Sequence, residues 1–268
     1  MKKRFQKIQN DFEKLLKDKE RGIIKNYAIA FKRLEKELRE MLKICEVSGE
    51  YDFEELFKYN RIKKYDAIIL SMMIKLYSDN RKIIRSALND TAKTTAKSTY
   101  NQVRELIELK TIKDINYKGI VNQRVAGRVW TERYNHRGGN ISYEVQSIIK
   151  AGMERGDTYT TISKDLKKKL DKDISNIQTL VRTEAHRVQE STKYEAMSEI
   201  NKKIKINKVW HTVSDERVRS SHAEMEGVSV AFEEDFELPG GATAPYPGES
   251  GDPAEDINCR CWCSYETN

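Results

Sequence analysis

Three of the four Cys, two of the four His and all four Pro of this 268-residue chain fall between Trp210 and Cys263. Zinc takes four N, S or O ligands in a tetrahedron. Cys259, Cys261 and His222, with Asp256 or Asp215 as a fourth, satisfy that count. In an extended strand, side chains two apart share a face. Cys259, Cys261 and Cys263 then line up together, with Arg260 and Trp262 opposite. A metal held there is structural in character. The plain alternative is small thiols buried under a terminal strand, and Cys-x-Cys is a less common zinc spacing than Cys-x2-Cys.

Asp215 and His222 also read as an acid–base pair. With the Cys face they define the alternative of a metal-dependent hydrolase or nuclease. They read equally as loop residues bonding backbone amides. Glu184 and His186 are two apart on a helix and do not share a face, so those two alone build no paired site. There is no phosphate-cradling Gly loop, no Gly-x-Ser-x-Gly elbow and no His-Glu-x-x-His. The expectation is a protein that is not an enzyme. The loop from Leu238 to Gly248 holds small, stiff residues that suit either a partner surface or a plain connector.

The elements that must position these residues are mostly helices. From Phe5 to Ile44 apolar residues recur in steps of three and four, the mark of a long amphipathic helix weakly interrupted at Gly22. Asp52-Phe53-Glu54-Glu55-Leu56 predicts a short helix, and the periodicity resumes from Arg61 to Ile107. The Thr/Ala/Lys/Ser stretch 91–99 lacks large side chains, which predicts a bend or a close helix contact. Asp114 is the expected cap of a helix carrying Val121, Val125, Val129 and Trp130, with Gly138-Gly139 ending it. Another runs from Tyr143 to Arg155, stopped by Gly156. Asp157-Thr158 caps a basic helix, Thr160 to Leu170, and Ser175-x-x-Gln178 has the form of a capping box opening a helix to about Ile200. Beyond Lys205 the period becomes two, predicting a half-buried strand through Trp210. Val228 and Val230 predict a second short strand, and Arg260 to Tyr265 a third. The fold class is α+β. Long amphipathic helices dominate the N-terminal part, and a small C-terminal domain combines a helix, short antiparallel strands and a Pro/Gly-rich loop. The expected division is 1–139, a basic helical region, and 140–268.

Charge is uneven along the chain. Residues 1–150 hold 33 Lys/Arg against 20 Asp/Glu, whereas 201–268 hold 7 against 13. A basic front fits nucleic acid or an acidic protein surface, or simply solvates long helices. No apolar run reaches the roughly 18 residues of a membrane span, and no secretion signal is visible. Cysteines this close form no ordinary disulfide framework. A soluble chain made in a reducing cytoplasm is expected.

Taken in order, one set of motifs resembles a known family. Arg182-Thr183-Glu184 lies on a helix and Trp210 on a strand. Asp215-x-Arg217-Val218-Arg219-x-x-His222 and Gly227 follow, then the Gly/Pro loop with Pro247-Gly248 and Asp252-Pro253, and last Asn258-Cys259-Arg260-Cys261. This series, over roughly residues 140–265, resembles the phage Mu F-like (SPP1 gp7-like) minor head, or head morphogenesis, proteins of tailed phages and prophages. The resemblance implies a minor capsid protein of the virion, made in the bacterial host cytoplasm. It implies association with the portal vertex and with the major capsid or scaffold protein during head assembly and packaging. Contact with phage DNA is implied too, and no membrane. It carries over Arg182, Thr183, Glu184, Asp215, Arg217, Gly227, Asn258 and Arg260 as motif positions. Some relatives have Cys at the positions of Arg219 and His222 and a His near Asp256, a fuller metal-ligand set than this chain has. Some relatives are fused to toxin domains, for which a chain ending at Asn268 leaves no room.

Overall fold

The computed structural model describes residues 2–47, 50–51, 61–104, 115–125 and 127–267. The short helix expected at 52–56, the Leu106 and Ile107 positions and the Asp114 cap lie outside them. Five helices lead: α1 (Lys2–Cys45), α2 (Arg61–Val103), α3 (Tyr117–Val121), α4 (Trp130–Glu154) and α5 (Tyr159–Asn201). A two-residue hairpin, β1 (Glu46–Val47) with β2 (Glu50–Tyr51), follows α1. The rest is β3 (Ile206–His211), α6 (Ser220–Ala223), β4 (Ser229–Ala231), β5 (Phe236–Glu237), β6 (Thr243–Ala244), α7 (Pro253–Asp256) and β7 (Trp262–Thr267). The α+β reading stands, as do the long helices and short antiparallel strands.

The chain forms two units. One comprises Met1–Lys19, Arg85–Trp130 and Thr179–Asn268; the other comprises Glu20–Ile84 and Thr131–Gln178. The expected boundary at 139/140 falls inside α4.

The second unit is helical. Ile23, Tyr27, Leu34 and Leu38 of α1 are buried, as are Ile69, Met73 and Tyr77 of α2, Tyr134, Ile141 and Val145 of α4, and Ile162, Leu166 and Ile177 of α5. At its centre the Asp173 carboxylate accepts from the hydroxyls of Tyr27 (2.5 Å) and Tyr77 (2.7 Å) and lies 3.6 Å from Arg137. Burial pushes the Asp173 carboxyl above its usual range, although both hydroxyls and Arg137 pull it down.

Three expected breaks are absent, two for a packing reason and one for a hydrogen bond. Gly22 does not interrupt α1; a Cβ there would meet the Ile83 side chain at 3.2 Å, so the glycine permits a close helix approach. Gly138 and Gly139 do not end a helix. They sit inside α4, where a Cβ on Gly138 would lie 2.7 Å from the Tyr77 ring. Ser175 caps nothing, because its hydroxyl bonds back to the Asp171 carbonyl (3.1 Å) within the 43-residue α5. A real stop comes at Gly156, whose φ of +74° is the left-handed conformation a helix end requires. The helix expected across Val121–Trp130 is instead two, α3 and α4, separated by a turn that pairs Val125 with Arg128.

In the first unit β3 is central, with β4 and β7 antiparallel on its two sides. The strand is not half-buried: all of its positions except Asn207 are buried, Lys208 and His211 included. The core joins Phe5 and Ile8 of α1, Met197 and Ile200 of α5, Trp210, Phe232, Phe236, Trp262 and Tyr265. Phe5 packs on Tyr265 with ring centroids 5.4 Å apart. Lys208 ends among Tyr194, Phe232 and Phe236 and donates to the Pro245 carbonyl at 2.8 Å. The Gly/Pro loop is therefore pinned to its own domain, with Leu238, Ala244 and Tyr246 buried.

Candidate metal centre and the motifs around it

The three expected ligands converge. His222 Nδ1 lies 3.3 Å from Cys261 Sγ and 3.7 Å from Cys259 Sγ, and all three residues are buried. Zinc–sulfur and zinc–nitrogen bonds of about 2.3 and 2.05 Å at a tetrahedral angle put N and S about 3.6 Å apart, so both separations suit one ion. The opposite ring nitrogen, Nε2, lies 2.8 Å from Glu255 Oε2, the carboxylate–imidazole arrangement that orients metal-bound histidines. Among the described residues these three side chains form the converging ligand group, and the donor set fits a thiophilic metal such as zinc.

The two carboxylates expected as a fourth ligand are engaged elsewhere. Asp215 takes a two-pronged bond from the Arg260 guanidinium, 2.6 Å on each oxygen, and accepts from Arg217 N. Arg260 holds it down at about 2. Asp256 accepts from the Ser250 hydroxyl and the amides of Ser250 and Gly251. Cys263 does not join the other thiols either. Cys259 and Cys261 precede β7, which begins at Trp262, so the alternation argument does not reach them.

Local chemistry explains how the ligands are placed. α6 puts His222 one turn beyond Arg219, whose guanidinium donates to the carbonyls of Glu255 and Ile257. Asp252 caps α7 by accepting from Ala254 N, and Pro253 opens that helix. Glu255 then faces both His222 and the Ser221 hydroxyl. Asn258 turns the chain with φ +56°, and its amide donates to Thr183 Oγ1 at 3.1 Å.

Thr183 begins a stripe that sequence reasoning missed. Thr183, His186, Glu190 and Lys193 follow one another along α5 by three, four and three residues, one face of a helix. His186 Nε2 lies 2.6 Å from the Cys261 carbonyl. Glu190 Oε2 accepts from Cys263 N at 3.1 Å, and Lys193 donates to Cys263 O at 3.2 Å. Glu190 and Lys193, both wholly buried, pair at 2.6 Å. Polar residues recurring at helical spacing beside the apolar Val181, Ala185 and Val188 were the available signal. Glu184 points elsewhere and pairs with Arg187, which also donates to Ile120 O and Gln123. Arg182 is exposed on α5. Gly227, φ +80°, is bonded to Trp210 O.

Electrostatics separate the two metal-facing thiols. The bond to Cys259 pulls Cys261 down to about 5 against the cost of burial, helped by His222 and Trp210, while Cys259 is pushed up. Burial alone would lower His222, but Cys261 and Glu255 outweigh it and leave the imidazole above its ordinary value. Cys261 is thus poised as a thiolate ligand, whereas His222 and Cys259 must each release a proton to bind a cation. Ser264, His211 and Glu226 also line up, at 2.8 and 3.1 Å. Ser264 is wholly buried, out of reach of a substrate, so the three clamp β3, β7 and the Thr212 turn.

The polar face of α5 grips the Asn-Cys-Arg-Cys segment beside a small three-stranded sheet, and this is the motif-bearing part of the chain. Residues 143–264 match the family described as Phage Mu protein F like protein. Across 268 aligned residues the chain is 20% identical to the Minor head protein GP7 of Bacillus phage SPP1, covering 97% of this chain and 86% of that one. It is also 30% identical over 145 residues to the NAD(+)--arginine ADP-ribosyltransferase EFV of Enterococcus faecalis, covering 53% of this chain but 29% of that protein. No solved structure matches.

Proposed function

We propose that this protein is a minor head component of a tailed phage or prophage, seated at the portal vertex and present in the virion. It works with the portal and the major capsid or scaffold protein during head assembly, and its basic helical part contacts packaged DNA. It is a structural protein, not an enzyme. The observation that carries this reading is the near full-length correspondence with a minor head protein, which takes in the basic helices as well as the motif domain. The ADP-ribosyltransferase corresponds over under a third of its own length, so its named activity is not carried over. The test is mass spectrometry of gradient-purified procapsids and mature particles from cells making the parent phage. A few copies per portal are expected; absence from both particle types overturns the reading.

Within it, Cys259, Cys261 and His222 supply three of the four ligands of one zinc that fastens α6 to the segment before β7. Elemental analysis of protein purified under reducing conditions without chelator should find about one zinc per chain, lost in Cys261→Ser and kept in Asp215→Asn. A metal-free protein whose melting temperature ignores chelator refutes the site.

A further inference from the structure

On the helical unit, α4 and α5 bound a cleft of about 370 Å³. From α4 it is lined by Arg133, Arg137 and Glu144; from α5, by Lys169, Lys172 and Asp173. Four fixed cations thus face two acids, and His136 adds a further titratable nitrogen to the lining. Neither acid is at liberty: Glu144 is paired with Lys169 at 2.6 Å, and Asp173 is taken by the two tyrosine hydroxyls and Arg137. No ion pair answers Lys172 among the described residues. The exposed Lys164, Lys168 and Lys172 also follow one another at four-residue steps, prolonging the charge along α5 beyond the cleft. Arg133 and Arg137 stand one turn apart, about 6 Å along the axis. They form a short row of planar donors suited to phosphate oxygens.

We propose that this α4–α5 cleft is where the protein grips the phosphodiester backbone of duplex DNA, through Arg133, Arg137 and Lys172. This rests on the DNA contact in the reading above, and it moves that contact from the basic front as a whole to one cleft, part of which lies on α5. The contact is with phosphate and carries no sequence preference.

The test is binding of a labelled 30-base-pair duplex by the full chain across salt concentrations, in wild type, in Arg133→Gln/Lys172→Gln and in the control Lys75→Gln/Lys82→Gln. The control removes two exposed lysines that flank Asp79, outside the cleft. Each lost phosphate contact lowers the slope of log K against log salt by about 0.9. The cleft double variant should therefore lose about 2 from the slope. Its disadvantage to wild type should shrink about 12-fold between 50 and 200 mM salt, while the control keeps the wild-type slope. Unchanged melting curves confirm that all three proteins are folded. If cleft and control variants lose slope equally, the cleft proposal falls while the DNA reading stands. If wild type shows no salt-dependent binding, both fall, leaving the head-protein reading to the particle analysis. If an oligoglutamate of equal charge binds as tightly as the duplex, the cleft takes acidic polypeptide and the proposal is overturned.

Discussion

Gly138 and Gly139 are neighbours inside α4, and alanine should have opposite effects at the two. At Gly139 an added Cβ meets nothing within 4 Å. Alanine there gains only helix propensity, about 0.8–1 kcal/mol. At Gly138 the same Cβ would lie 2.7 Å from Tyr77 Cδ1 and 3.1 Å from two further ring atoms. Overpacking of that kind costs about 1–3 kcal/mol. Nor can the ring turn away freely, because its hydroxyl holds Asp173 at 2.7 Å and its face packs on Tyr134 at 4.9 Å. Losing a hydrogen bond to a charged group would add about 1.5–3 kcal/mol. With the propensity gain subtracted, Gly138→Ala should be destabilised by up to about 2 kcal/mol, or by about 1.5–5 if the hydroxyl bond is also lost, and Gly139→Ala stabilised by about 1. At roughly 2–4 °C per kcal/mol for a chain of this size, thermal unfolding followed by far-ultraviolet circular dichroism should place the two melting temperatures on opposite sides of wild type. If Gly139→Ala destabilises, α4 does not run through this position and the glycine pair ends a helix after all. If Gly138→Ala stabilises as much as its neighbour, the close approach of α2 is wrong.

Three further predictions probe the motif domain. Lys193→Met leaves the wholly buried Glu190 without its partner and should cost about 3–5 kcal/mol in chemical denaturation, with part recovered on adding Glu190→Gln; a loss under about 1 kcal/mol would contradict the clamp. Gly248 has φ +86°, and a Cβ would sit 2.8 Å from His186 Nδ1, whereas Gly251, φ +77°, has open space around it. Both Ala variants carry the left-handed strain of about 1–2 kcal/mol, but Gly248→Ala should melt distinctly lower, and equal melting temperatures would refute the contact. Burial works against the Glu226 carboxylate, but Thr212 N–H, His211 and Lys2 hold it at about 2, below its ordinary 4.5. A depressed carboxylate stabilises above its unfolded value and loses that contribution as pH falls from about 4.5 to 2. Glu226→Gln should therefore melt below wild type at neutral pH and converge with it in acid; a constant gap would show that the charge is not what matters.

What was legible in the amino-acid sequence was what neighbours decide. The apolar steps of α1, the change of period at Ile206 and the stop at Gly156 all depend on residues within one or two turns. Residue type alone also singled out Cys259, Cys261 and His222, because few side chains bind a soft metal. What was not legible depended on distant partners. Gly138 reads as a terminator until Tyr77 is known to press against it. Ser175 is the local exception, since it reads as a cap although its hydroxyl bonds Asp171 O one turn back in an unbroken helix. Asp215 was a plausible fourth ligand because nothing local reveals that Arg260, 45 positions on, claims both its oxygens. Continuing the apolar steps of α1 from Phe5, Ile8 and Phe12 points to Leu15 and Lys19, but Leu16 and Glu20 are the buried residues. That one-residue drift is the error expected when an ideal period is extended along a long helix.

The order of synthesis gives the sheet a further meaning. β3 is made well before β7, and His222 emerges 37 positions ahead of Cys259. At about 5–20 residues per second, the imidazole waits roughly 2–7 s for the first of its thiols. During that interval β3 has only β4 beside it, and its other edge is open to any passing strand. Completion of this sheet therefore waits on the synthesis of β7. A ribosome that stalls between β4 and Cys259 releases a product with helices formed, one sheet edge bare and the ligand trio unfinished, a species that quality-control proteases have good reason to find.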